Sequence, residues 1–356
     1  TALGVVMADG DVIELRRGEH RAAGRQFSLH TAAGRKLSGA LPSYVLPAVK
    51  NAAGYHAAGD MDLLDLFIGA EGTLGVVTRA ELRLSPAPPV IWGVTAFLPT
   101  MTDALRFVRA ARGEHLAGVP PVAERPAAIE LFDRRALDLL RRQKNERPSF
   151  AWLPAIPGAG NTAIYVEYHC ADEDAAGKAV ESLAATLTAC GGAEGNTWIA
   201  TSAHEVELAG RFRHAVPESV NLLIDERRRN VPGLTKLGTD MSVPAARLEE
   251  VMALYGRDLD AAGLEHVIFG HIGDNHVHVN ILPRSQAEYD VGRGIVLAWA
   301  GKVAAWGGSI SAEHGIGLEK RGWLDVSRSP AEIALMRTLK AALDPLGLLN
   351  PGKVLA

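Results

Sequence analysis

A short histidine-rich segment in the C-terminal third constrains the fold of this chain more than any other stretch. Residues 267–282 read VIFGHIGDNHVHVNIL, in which His271, His276 and His278 stand among apolar residues that alternate in period two. Such alternation indicates β-strands, and the Gly-Asp-Asn sequence between them is typical of a turn. The segment therefore predicts a hairpin whose second strand carries His276, His278 and Asn280 on one face.

The predicted hairpin brings imidazole rings together. A turn at Gly273–Asp274 places His271 near His276 and diagonal to His278, at a Cα separation of roughly 7–8 Å. Two neutral imidazoles, a carboxylate and an open position are typical of a catalytic zinc or manganese site. The later segment SISAEHGIG, which contains Glu313, offers that carboxylate. The alternative interpretation is that these histidines only form hydrogen bonds within the hairpin.

Length and composition narrow the class of protein. A chain of 356 residues predicts two domains, and a formal net charge of −4 gives no reason to expect nucleic acid or an anionic membrane as partner. The two cysteines, Cys170 and Cys190, match neither a disulfide framework nor a metal motif, which indicates buried thiols in a reducing compartment. No apolar run approaches the ~20 residues that span a bilayer, and no signal peptide is visible.

The first 90 residues read as β-rich. Thr1 opens directly in strand-like sequence with a turn at Asp9-Gly10, so we expect a further part of the polypeptide upstream. The loop GAEGTLG, which begins at Gly69, follows an apolar run. Its glycines would let a ligand approach the backbone closely, although most glycine-rich loops are only turns.

From residue 90 onward, predicted strands alternate with predicted helices. This order favours an α+β layer, in which an antiparallel sheet carries helices on one face. A long helix is predicted over 205–229, where Pro217 should kink or restart it. Two further helices are predicted over 285–306 and 330–343.

Four segments in the same order resemble one family. They are FIGAEGTLGVVTRAELRLSP, GHIGDNHVHVNILP, GGSISAEHGIGLEKRGWL and LDPLGLLNPGKVL. Together they are similar to the flavin-linked D-2-hydroxyacid dehydrogenases, which include D-lactate and D-2-hydroxyglutarate dehydrogenases and the glycolate oxidase flavin subunit. The resemblance covers nearly the whole chain from Leu3. It implies the vanillyl-alcohol-oxidase type of FAD-binding fold, with a ferredoxin-like antiparallel-sheet substrate cap.

The resemblance also implies roles for particular residues. His271, His278 and Glu313 correspond to ligands of a divalent metal, zinc or manganese, and His314 corresponds to the catalytic base. The groups that correspond to substrate-binding residues are Arg213 and Lys236. The positions that match the FAD-lining segments are Gly69, Glu71, Gly72, Thr73, Gly75, Val76 and Asn350.

Several of these assignments have simpler alternatives. Arg213 could pair with a carboxylate on its own helix, Lys236 could be solvated, and Glu313 could cap a helix or turn. Relatives often read H-x-G-D-G-N-x-H, whereas this chain has His276 where asparagine is common. His276 could therefore replace one metal ligand or contact the substrate.

The expected domains are the C-terminal part of an FAD-binding domain over 1–90, a substrate and metal cap over 91–315, and a segment over 316–356 that returns to the FAD side. The upstream half of the FAD domain, with its pyrophosphate loop, is absent from this sequence. Residues 1–90 would therefore supply only part of the flavin pocket.

The expected reaction is oxidation of a D-2-hydroxy acid of the D-lactate, D-2-hydroxyglutarate or glycolate type to the 2-oxo acid. A histidine takes the hydroxyl proton with help from the metal, and flavin N5 takes the hydride. Electrons then pass to a quinone, a flavoprotein or an iron–sulfur protein. The expected location is the cytoplasm or the inner-membrane surface, with a homodimer left open. Rival hypotheses are a metal-binding module without catalysis and a His-His-Glu metallohydrolase.

Overall fold

The computed structural model of the chain describes residues 1–158 and 162–355. The strands are β1 (Ala2–Val6), β2 (Val12–Arg16), β3 (Gln26–His30), β4 (Lys36–Ala40), β5 (Val76–Glu81), β6 (Val90–Leu98), β7 (Ala128–Phe132), β8 (Thr162–Cys170), β9 (Thr197–Ala200), β10 (Leu237–Gly238), β11 (Met241–Ser242), β12 (His266–Gly270) and β13 (His276–Ile281). The helices are α1 (Met101–Ala111), α2 (Arg134–Glu146), α3 (Glu173–Ala189), α4 (Ala203–Arg228), α5 (Leu248–Ala262), α6 (Gln286–Ala305), α7 (Arg321–Ser327) and α8 (Pro330–Leu343). Within the described ranges, no helix is both long enough and apolar enough to cross a membrane.

These elements form two compact units. The first unit contains residues 1–85, residues 240–244 and the chain from Leu297 onward, and the second contains residues 86–239 and 245–296. This division differs from the predicted domains, because it assigns residues 240–244 and 297–315 to the first unit. The physical reason is the buried carboxylate of Asp240, which accepts hydrogen bonds from the Ser311 hydroxyl and the His314 backbone N–H.

The first unit is built around a three-stranded antiparallel sheet in the order β2-β1-β5, with β3 and β4 forming a separate hairpin. The turn predicted at Asp9-Gly10 is confirmed, since it joins β1 to β2 and Gly10 adopts a φ of 86°. Helix α8 begins at Ser329, whose side chain accepts from the Glu332 N–H in a capping box, with Pro330 in the first turn.

The second unit contains an antiparallel sheet in the order β10-β13-β12-β7-β8-β6-β9. Helices α2 and α4 pack on one face, where their apolar side chains form a core with Phe97, Phe132 and Tyr165 from the strands. Alternate residues of a strand point to opposite faces, and Ile164 and Val166 on the other face of β8 are also fully buried. Helices α1 and α3 contact β6 and β8 there. The predicted α+β class is confirmed, and helices cover both faces of β8 where the sequence predicted one.

Helix α4 orients part of the candidate site. Ser202 caps its N-terminus in a capping box with Glu205. The helix runs without interruption through Pro217 to Arg228, so the restart predicted there does not occur. Phe212 and Val216 of α4 are buried in the core, which fixes the direction in which Arg213 projects.

Candidate functional site

The histidine segment forms the predicted hairpin. β12 and β13 pair antiparallel, with Phe269 opposite His278. Residues Ile272–Asp274 form one 3-10 turn that ends at Asn275, which has a φ of 54°. Asparagine tolerates this left-handed conformation better than most residues, which explains its place at the end of the turn.

Three imidazole rings meet at the end of this hairpin. The ring centroids lie 5.5 Å apart for His271 and His276, 5.6 Å for His271 and His278, and 4.6 Å for His276 and His278. One nitrogen from each ring lies within 4.8 Å of the other two. Gly270 makes room for this cluster, because a Cβ there would stand 2.7 Å from Cδ2 of His278 and its φ is 116°. The second unit therefore carries a group of nitrogen donors suited to a borderline divalent cation.

Glu130 links the histidines to Arg213. The register of β7 with β12 pairs Leu131 with Gly270, so one further step along both strands sets Glu130 beside His271. Its Oε1 lies 2.8 Å from His271 Nδ1 and accepts from Arg213 Nη2 at 2.6 Å. A carboxylate can only accept, so Nδ1 carries a proton, and in the neutral imidazole Nε2 then has the lone pair. This carboxylate–histidine pair is the arrangement that orients metal-binding imidazoles in proteins.

Arg213 is thus held by a buried carboxylate, rather than by a neighbour on its own helix. Its guanidinium also lies over the Tyr165 ring, 5.3 Å from the centroid. Arg213, Glu130 and His271 line a cavity of about 480 Å³, together with Arg112 and Arg125. The cationic side chains in this wall suit an anionic ligand such as a carboxylate.

Lys236 lies just before β10, the strand that pairs with β13. Its Nζ donates to Asn221 Oδ1 of α4 at 3.0 Å, and burial lowers the pKa of this lysine. Lys236 is therefore half-buried and held against α4, rather than freely solvated. Its predicted contact with substrate stays a prediction.

The segment with Glu313 and His314 belongs to the first unit, where Asp240 holds it. The Asp240 carboxylate accepts from the His314 N–H at 2.9 Å, the Glu313 N–H at 3.3 Å, the Ser311 hydroxyl at 2.7 Å and Lys320 Nζ at 2.8 Å. One ring nitrogen of His314 also lies within 4.8 Å of an Asp240 carboxylate oxygen. This network fixes the main chain that carries the predicted base.

The Glu313 carboxylate forms an ion pair with Lys50 and is partly exposed. A cation bound by Glu313 would therefore share this carboxylate with an ammonium group. The roles predicted for Glu313 and His314 stay predictions.

The predicted FAD-lining loop is strongly bent. Gly69, Glu71 and Gly72 all have positive φ, and the Asn350 amide donates to the Glu71 carbonyl at 2.6 Å. The Glu71 carboxylate accepts from the backbone N–H groups of Ile316 and Gly317.

The positions of this loop differ in their exposure to solvent. Thr73 bonds the Ala70 carbonyl and is buried, and a Cβ at the buried Gly75 would stand 2.4 Å from Val5 Cγ1. Gly69, Gly72 and Val76 are exposed, and their predicted contact with FAD stays a prediction.

Three residues of these networks were missed by sequence reasoning. Glu130 is a carboxylate inside the apolar strand AIELF, and buried carboxylates require a partner. Asp240 and Lys320 are a buried acid and a buried base far apart in the chain. Among these three residues, Glu130 alone gave a signal in the sequence, as a charged residue inside an apolar strand.

Comparison with known proteins defines the class of this chain. The family model described as "FAD linked oxidases, C-terminal domain" matches residues 88–354. A D-2-hydroxyglutarate dehydrogenase from Stutzerimonas stutzeri is 30% identical over 86% of this chain and 60% of its own length. One from Xanthomonas citri pv. viticola is 34% identical over 86% of this chain and 59% of its own length. A D-lactate dehydrogenase from Archaeoglobus fulgidus is 29% identical over 86% of this chain and 59% of its own length.

Solved structures agree on the fold. The 4-ethylphenol oxidase from Gulosibacter chungangensis superposes with a TM-score of 0.58 at 16% identity, covering 99% of this chain and 65% of that one. The p-cresol methylhydroxylase gives a TM-score of 0.58 at 14% identity, covering 99% and 64%. The predicted fold of the vanillyl-alcohol-oxidase type is thereby confirmed.

The chain therefore belongs to the FAD-linked oxidase C-terminal domain family. It spans 60%, 59% and 59% of the lengths of the three relatives named above.

Proposed function

We propose that this chain is the substrate- and metal-binding part of an FAD-dependent D-2-hydroxyacid dehydrogenase. The observation that carries the proposal is the hydrogen-bonded array of Arg213, Glu130 and His271, with His278 beside it. Binding of an α-hydroxy acid for oxidation needs an arginine that binds the carboxylate and imidazoles that hold a cation at the hydroxyl. Relatives named as D-2-hydroxyglutarate and D-lactate dehydrogenases support the same reaction class.

The protein's own residues would bind and orient the substrate. Arg213 would hold the substrate carboxylate, which fixes the C–H bond that faces the hydride acceptor. His271 and His278 would hold the cation, with Glu313 as the carboxylate ligand suggested by the resemblance. The cation would supply a lowered pKa of the substrate hydroxyl, and FAD would supply the hydride acceptor.

His314 would take the hydroxyl proton, since a neutral imidazole accepts protons near pH 7. The hydroxy acid becomes the 2-oxo acid when the hydroxyl oxygen loses this proton and the carbon that bears the hydroxyl loses a hydride. Lys236 would assist at the carboxylate. The loop at Gly69–Val76, with Asn350, would line FAD. A quinone, a flavoprotein or an iron–sulfur protein would take the two electrons.

The full-length protein tests this proposal directly. We expect it to purify with flavin absorbance near 450 nm and to reduce a dye acceptor with D-lactate, D-2-hydroxyglutarate or glycolate. The L enantiomers of the two chiral acids should give little reduction, because the fixed carboxylate presents one C–H bond only. Cleavage of an ester or amide without flavin would contradict the proposal and favour a metallohydrolase.

Replacing Glu130 by glutamine is expected to weaken divalent-metal binding by roughly 10–100-fold, as loss of a carboxylate that hydrogen-bonds a metal-binding histidine typically does. An amide gives His271 Nδ1 a weaker acceptor and leaves Arg213 without its ion pair. The measurement is a competition titration with a chromophoric chelator on the metal-free full-length protein.

The matched control is Glu265→Gln, which removes a different glutamate–arginine pair of the second unit, that with Arg227. Metal affinity should stay within about 3-fold there, because Glu265 precedes β12 and lies opposite Leu282, at the end of the hairpin away from its turn. Equal affinity of wild type and Glu130→Gln would contradict the role of Glu130.

A further inference from the structure

His276 is the third imidazole of the cluster and the most deeply buried one. It begins β13, two residues before His278, so both side chains leave the strand on the same face. Its solvent exposure is 0%, and its ring lies 4.6 Å from that of His278. His276 therefore lies beside both other rings, with its side chain buried.

Two of the three rings have an oxygen partner for Nδ1. Thr239 supplies a carbonyl oxygen 3.2 Å from His278 Nδ1, as Glu130 supplies a carboxylate for His271 Nδ1. Both Nδ1 atoms then carry protons, and both Nε2 atoms keep the lone pair with which an imidazole binds a cation. Around tetrahedral zinc, ligand nitrogens stand ~3.3 Å apart, given Zn–N bonds of about 2.0–2.1 Å. One nitrogen from each of the three rings lies within 4.8 Å of one nitrogen of each of the other two.

We propose that His276 is a metal ligand, which gives the second unit a three-histidine site that selects zinc over manganese. This inference rests on the proposed function only for the presence of a cation at the cluster. A set of three imidazole nitrogens favours borderline ions such as Zn²⁺ and Co²⁺, whereas Mn²⁺ and Mg²⁺ prefer oxygen donors. The site would thus differ from the two-histidine pattern H-x-G-D-G-N-x-H.

The test compares metal affinities of the full-length protein and its His276→Asn variant. Both are stripped of metal and titrated separately with Zn²⁺ and Mn²⁺ against a chelator. We expect Zn²⁺ affinity to fall by at least ~100-fold, because loss of a ligand costs more than loss of a residue that only hydrogen-bonds a ligand. Mn²⁺ affinity should change by less than about 3-fold, because an amide oxygen replaces the nitrogen. A change in Zn²⁺ affinity of less than about 3-fold would overturn the proposal.

A second measurement needs no variant. In the Co²⁺-loaded wild-type protein, each ligating histidine gives one paramagnetically shifted, exchangeable N–H proton signal. Three such signals are expected in wild type and two in His276→Asn. Two signals in wild type would overturn the proposal even if the variant fails to fold. The control is His169→Asn, since His169 is an exposed residue of β8 that pairs with Glu167.

These outcomes are separate from those of the activity assay. If no D-2-hydroxy acid is oxidised but three shifted signals are seen, the proposed function fails and the three-histidine site stands. If oxidation is seen with two signals only, the reverse holds.

Discussion

Replacing His314 by asparagine is expected to lower kcat for D-2-hydroxy acid oxidation by roughly 10²–10⁴-fold, the contribution of a typical general base. Asparagine keeps a polar side chain but cannot accept the hydroxyl proton at neutral pH. The change leaves the hydrogen bond from the backbone N–H of residue 314 to the Asp240 carboxylate in place. The local main chain should therefore keep its conformation, and KM should change much less than kcat.

The measurement is steady-state dye reduction by the full-length protein, with flavin absorbance recorded to show that the cofactor is retained. His204→Asn is the control, because His204 is exposed in the first turn of α4. A fall in kcat of less than about 5-fold for His314→Asn would rule out a general-base role of normal size.

Replacing Asp240 by asparagine is expected to lower the free energy of unfolding by about 3–5 kcal/mol, as loss of one partner of a buried ion pair does. The exposed fractions of the two side chains are 1% for Asp240 and 11% for Lys320. The carboxylate accepts from four donors, whereas an asparagine amide has one acceptor oxygen and turns its NH₂ toward another donor. Urea unfolding of the full-length protein measures the change.

The double variant Asp240→Asn with Lys320→Met should lose less stability than the sum of the two single variants, because no ammonium group is then left unpaired. Asp325→Asn, at an exposed position of α7, should change the free energy of unfolding by less than about 0.5 kcal/mol. A loss below about 1 kcal/mol for Asp240→Asn would show that the ion pair does not stabilise the first unit.

The local elements followed from the sequence because short-range patterns specify them. The helix predicted over 330–343 is α8. The histidine hairpin was predicted from period-two alternation and turn chemistry, and the centroids of the His271 and His278 rings lie 5.6 Å apart in it. Of the kink or restart predicted at Pro217, the restart does not occur, since α4 continues across this residue while Phe212 and Val216 pack in the core.

The polar networks depend on register between distant segments, which no local pattern encodes. Glu130 reaches His271 only because Leu131 pairs with Gly270 across two strands that are far apart in the chain. Asp240 likewise meets Lys320 only after the first unit has folded.

The sequence by itself therefore determined the family, the elements and the hairpin, because these depend on neighbours along the chain. The tertiary structure decided which carboxylate holds His271 and Arg213, and which one holds the main chain of Glu313 and His314. These pairings depend on burial, because a buried charge without a partner costs several kcal/mol. In both networks that partner comes from a distant segment of the chain.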